Sequence, residues 1–131
     1  MTIRKNDKGF TLIEVMISMV ILAIGILGLA PLMVLSIYSN TYSQDLTRAT
    51  AVAQDRIEQL KPQPNSFFGV MPYEEPPTSI DGTYNRTVRV DDTSTDGTVP
   101  VGVYRIKVTI AWTDEKGMAR SVDYYTYKTI Q

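Results

Sequence analysis

From Val15 to Gln44 the chain carries no charged residue, and from Phe10 to Ile37 nearly every position is apolar or small. As a helix, Phe10 to Ile37 measures about 42 Å at roughly 1.5 Å per residue, against roughly 30 Å of bilayer hydrocarbon. It therefore reads as one membrane anchor whose surplus length tilts or projects. Arg4, Lys5 and Lys8 precede it and, with Asp7, give the first nine residues a charge of +2, against −1 for the whole chain. Cations on that flank hold the N-terminus in the cytoplasm and place the C-terminal part across the inner membrane. A secretory signal peptide would have a shorter apolar core closed by a small-x-small site, and no such site ends this run.

The 131 residues leave room for one domain beyond the anchor. Cysteine is absent, which excludes a disulfide framework and a thiolate metal site; histidine is absent too, which removes the usual general base and the commonest metal ligand. No Ser/His/Asp or Cys/His set can be assembled, no glycine motif cradles a phosphate, and no basic patch points to nucleic acid. The expectation is a protein that is not an enzyme and needs no cofactor or metal.

Beyond Ile37 polarity rises without a break, and Leu46, Ala49, Ala53, Ile57 and Leu60 recur at helical spacing while Asp45, Arg48, Asp55, Arg56 and Glu58 fall off that stripe. The helix therefore continues past the membrane, to about residue 61, where Pro62 and Pro64 stop it. Residues 62–82 are rich in Pro, Gly and Ser and read as a loop against something apolar. The period then changes to two: Tyr84, Val88 and Val90 share one face, as do Tyr104, Ile106, Val108, Ile110 and Trp112. A TDEKG turn with Gly117 leads to a return strand, so residues 83–131 should form an antiparallel meander of three or four strands. The predicted class is α+β: one long N-terminal helix, transmembrane and then amphipathic, packed on a small antiparallel sheet.

One carboxylate, Glu14, stands near the start of the greasy run, where a charge costs roughly 2.5 kcal/mol or more. Gly9, Phe10, Glu14 four residues later, and Pro31 further on make a recognisable set. The stretch GFTLIEVMISMVILAIGILGLAP resembles the N-terminus of a type IV prepilin, the class III signal shared by pilins and pseudopilins. More loosely, ATAVAQDRIEQLK and the Trp112–Gly117 hairpin resemble minor pilins of the PilV type and related minor pseudopilins.

The resemblance implies a pilin-like fold and a division into a leader (1–9), a transmembrane and assembly helix (10–37) and a periplasmic domain (38–131), with the amphipathic helix half at 38–61. It implies cleavage by prepilin peptidase between Gly9 and Phe10, N-methylation of Phe10, and a life first in inner-membrane lipid and then in a pilus or pseudopilus among other major and minor pilins. Cleavage creates an ammonium on Phe10 that can meet Glu14 across neighbouring subunits, so Glu14 reads as an assembly and register device. Pro31, near Gly25 and Gly28, marks a helix kink. Many major pilins close a C-terminal loop with a disulfide, which this chain cannot form, so the resemblance favours a minor subunit. A minor pseudopilin of type II secretion and, from another class, an uncleaved bitopic protein with a ligand-sensing outer domain are the alternatives.

The loop Asp92–Gly97 spaces Asp92, Ser94 and Asp96 like the first half of a calcium loop, but Val103 stands where the closing Glu of an EF-hand belongs. A plain solvated loop is expected. Phe67, Phe68, Tyr73, Tyr124, Tyr125 and Tyr127 are expected to fill the gap between loop and sheet in preference to forming an adhesive surface.

Overall fold

The computed structural model describes residues 9–130, and residues 1–41 and 42–131 form two units. The cationic leader positions Arg4, Lys5 and Lys8 lie outside the described residues. Helix α1 spans Leu12–Leu60 and ends before Pro62, which cannot donate to the last turn. In the first unit its apolar side chains are exposed all round, from Leu12 at 80% to Ile37 at 63%. It is the one described helix long and apolar enough to cross a membrane.

In the second unit, strands β1 (Tyr73–Ile80), β2 (Tyr84–Asp91), β3 (Val103–Thr113) and β4 (Ala119–Thr129) form an antiparallel sheet in sequence order. Period-two alternation puts Val88, Val90, Ile106, Val108, Ile110 and Trp112 on the face that packs with Ala49, Ala53 and Leu60 of the helix. The alanines are fully buried, small enough to let helix and sheet approach closely. Gly117, with φ of 74°, supplies the left-handed residue that the β3–β4 turn needs.

Charges beside the helical stripe tie its flanks to the sheet. On one flank Asp45 accepts from the Tyr84 hydroxyl at 3.0 Å, Arg48 pairs with Asp81, and Arg56 pairs with Glu75. On the other, Thr50 meets the Tyr124 hydroxyl, the Arg120 guanidinium lies 5.6 Å from the centre of the Tyr42 ring, and Lys128 donates to the Lys61 carbonyl at 2.7 Å.

Three expectations are corrected. Residues 62–82 are not one loop: Tyr73–Ile80 is an edge strand, and its Pro76 and Pro77 fall at a register shift between Glu75 and Thr78, where a missing N–H breaks no regular ladder. The described helix starts at Leu12, so Phe10 precedes it. The aromatic residues divide: Phe68 is buried and packs against Tyr73 and Tyr104 at centroid distances of 5.6 and 5.5 Å, whereas Tyr125 and Tyr127 face outward at 53% and 56% exposure. Alternation along β4 decides this, because Tyr124 points to the helix and its odd-numbered neighbours point away.

Candidate processing and assembly segment

Gly9, Phe10 and Thr11 lie outside helical structure, and Thr11 caps the helix that follows. Its Oγ1 accepts the Glu14 amide at 3.3 Å, and its carbonyl accepts the amides of Glu14 and Val15 at 3.1 and 3.2 Å. Thr11 and Glu14 thus stand at N-cap and N3, the Thr-x-x-Glu spacing of a capping box. That spacing is readable in the sequence, and it gives Glu14 a local capping role beside the register role expected of it. Phe10 alone separates the Gly9–Phe10 bond from the cap, and since the bond precedes the helix a peptidase gripping an extended backbone need not unwind a turn to reach it. A Cβ added at Gly9 would meet nothing within 4 Å, so no contact among the described residues requires glycine there.

Glu14 sits in the first turn, where a carboxylate faces the positive end of the helix dipole. The dipole offsets part of the cost of a charge at the apolar boundary. Phe10 is exposed, and Glu14 has exposed neighbours in Ile13 and Val15. Further along, helical structure runs through Pro31 without interruption, although that proline cannot donate to the Leu27 carbonyl. Gly25 and Gly28 have open space beside them.

Residues 92–97 are exposed or half-buried. The residues that flank them are buried, Asp91 at the end of β2 at 2% exposure and Val99 at 1%. Asp91 accepts from Arg89 Nε at 2.9 Å and from Arg105 Nη2 at 3.2 Å, and Arg105 also pairs with Asp96. Asp92 accepts from the Ser94 hydroxyl and amide at 2.6 and 2.9 Å, and the Ser94 hydroxyl is the first cause holding that carboxyl below its ordinary range. The Thr98 hydroxyl and amide, and then Arg105, hold Asp96 lower still. These carboxylates are engaged in local caps and ion pairs.

The prokaryotic N-terminal methylation motif matches residues 4–30. No curated protein and no solved structure matches the chain significantly. The motif covers the Gly9–Phe10 bond, the cap and Glu14, and stops one residue before Pro31. With a long N-terminal helix and an antiparallel sheet behind that motif, the chain fits a type IV pilin-like protein.

Proposed function

We propose that the chain is a minor structural subunit of a type IV pilus, cleaved between Gly9 and Phe10 by prepilin peptidase, methylated on Phe10, and incorporated into or priming the filament. The methylation motif over residues 4–30 carries this reading. Before assembly the apolar helix sits in the inner membrane with residues 38–131 in the periplasm; afterwards the same helix packs among those of other pilins. Glu14 acts there as a register device: a neighbour's Phe10 ammonium pairs with it in an apolar setting, where removing one member of a buried pair costs about 3–5 kcal/mol. Pro31 is the weak point at which the helix bends or loosens on docking. The protein works by assembly and not by catalysis.

The test is to recover the mature protein from sheared filaments and sequence its N-terminus. Methylated Phe10 in the filament fraction is the expected result; an intact Met1 terminus confined to membranes would refute the proposal and favour the uncleaved bitopic reading. The same motif serves pseudopilins, so deletion of the gene should reduce surface pili. Normal piliation with lost protein secretion would transfer the reading to a type II secretion pseudopilus.

A further inference from the structure

Odd-numbered residues of β2, β3 and β4 make the sheet face turned away from the helix, and the strand register sets them in rows. Arg89, Lys107 and Tyr125 stand opposite one another across the three strands, and Asp91, Arg105 and Tyr127 make the next row. Thr95 and Asp96, from the loop after β2, join Arg89, Asp91, Arg105, Lys107 and Tyr125 in lining a cleft of about 500 Å³. Arg89 and Lys107 also line a second hollow, of about 340 Å³, with Glu74, Thr87 and Thr109. Room for a ligand therefore extends on both sides of that pair, from Glu74 on β1 to Tyr125 on β4.

The charges of this groove are matched among themselves. Arg89 pairs with Glu74 and Asp91 at 2.8 and 2.9 Å, Arg105 with Asp91 and Asp96 at 3.2 and 2.5 Å, and Lys107 with Asp123 at 3.0 Å. An anion or a cation entering here must displace one of these partners and leave it uncompensated. An aliphatic ligand would strip water from charged groups and return no hydrogen bond. Hydroxyl groups do neither: they keep every pair, accept from the donors that Lys107 Nζ has left after Asp123, and donate to the remaining lone pairs of the carboxylates. Tyr125 adds a platform, because its hydroxyl donates to Asp123 Oδ2 at 3.4 Å, Lys107 Nζ lies 5.7 Å from its ring centre, and the ring is still 53% exposed. The electron-rich face of such a ring attracts C–H groups. From this self-neutralised polar groove with an open aromatic ring at its end, we infer that the outer face of the sheet binds a neutral oligosaccharide. One sugar ring stacks on Tyr125, and its hydroxyls and those of its neighbours meet the ion pairs of Arg89, Arg105 and Lys107. The site lies wholly within residues 42–131 and does not depend on membership of a filament.

The experiment uses the full chain in phosphatidylcholine nanodiscs, free of sugar-based detergent, passed over immobilised cellotriose, maltotriose and mannotriose and over the acidic sialyllactose and a heparin disaccharide. Wild type should bind at least one neutral sugar, with an affinity that changes less than twofold between about 0.05 and 0.5 M salt. Tyr125→Ala should weaken that binding tenfold or more, whereas Tyr125→Phe, which keeps the ring, should stay within threefold; trypsin resistance of residues 42–131 shows that both variants are folded. In the wild-type chain the bound sugar should slow nitration of Tyr125 by tetranitromethane fivefold or more and leave that of Tyr42 unchanged, a measurement that needs no variant. Retention of none of the neutral sugars, retention of acidic ones alone, or binding that collapses in salt would overturn the ligand class. Equal affinity of wild type and folded Tyr125→Ala, or undiminished nitration of Tyr125 with sugar bound, would overturn the site. Every one of these outcomes leaves the filament role where it stands.

Discussion

Replacing Trp112 with alanine tests whether the inward face of β3 is the core. Trp112 is 3% exposed, and its ring lies 6.1 Å from that of Tyr84. A buried aromatic of this size covers about 150–250 Å², which at ~25 cal/mol per Å² gives about 4–6 kcal/mol before alanine's own burial is deducted. Loss of the Tyr84 contact adds about 0.5–1.5 kcal/mol, and partial collapse of the cavity brings the sum back to about 3–5 kcal/mol. A domain of this size has about 5–10 kcal/mol of stability to lose, so the variant should be folded only marginally. Urea unfolding of the segment from Ser39 onward, followed by circular dichroism, measures the change, with Tyr125→Ala as the comparison. Tyr125 is 53% exposed and should shift stability by no more than about 0.5 kcal/mol. Equal midpoints for wild type and Trp112→Ala, or equal losses for both variants, would refute the facing assigned to these strands.

Glu14→Gln should be inserted and cleaved normally but poorly incorporated, with Glu14→Asp intermediate; equal ratios of filament to membrane protein for all three forms would show that the carboxylate merely reaches for the interface. Gly9→Val should block cleavage, because a β-branched side chain stiffens the backbone a peptidase must extend, and an immunoblot showing normal mature protein would move the cleavage site. Glu75→Gln should cost about 1–3 kcal/mol in the same urea assay, since Arg56 Nε donates to Glu75 at 3.2 Å and the two side chains are only 22% and 10% exposed. Asp92, Asp96 and Asp123 are held below the ordinary carboxylate range, first by the hydroxyls of Ser94, Thr98 and Thr109 respectively. Each therefore favours the folded state above the unfolded carboxylate value of about 4 and loses that contribution as pH falls through its folded value. The urea midpoint should be level from about pH 5 to 8 and drop below about pH 4; a rise on acidification would contradict the assignment.

Periodicity disclosed the elements whose side chains divide cleanly between inside and outside. The stripe Leu46, Ala49, Ala53, Ile57, Leu60 and the alternation in β3 are visible in sequence because burial on one face imposes them. β1 was hidden because Tyr-Glu-Glu-Pro-Pro-Thr-Ser-Ile has two prolines and a register shift, which break the period that would have revealed a strand. The charges beside the helical stripe looked like a solvated face, yet Asp45, Arg48 and Arg56 each reach a partner more than fifteen residues away, a pairing no local pattern encodes. Asp91 is buried and accepts from both Arg89 and Arg105, the second fourteen residues away, and only tertiary structure reveals that. In the processing segment the residues were legible by type and spacing, while the start of the helix at Leu12, which frees the Gly9–Phe10 bond, needed the backbone.

If the helix is the membrane anchor proposed above, its bare apolar surface limits how the chain can ever leave a bilayer. Nineteen large apolar side chains from Phe10 to Ile37 are exposed, and at about 1.5–3 kcal/mol apiece their simultaneous transfer to water costs roughly 30–60 kcal/mol. No thermal fluctuation crosses such a barrier on a cellular timescale. Extraction and docking must therefore be one lateral event, in which each turn of helix gives up lipid only as another helix takes its place. The growing base of any filament this chain joins must lie within the membrane plane, and dismantling the filament must return the chain to that same plane.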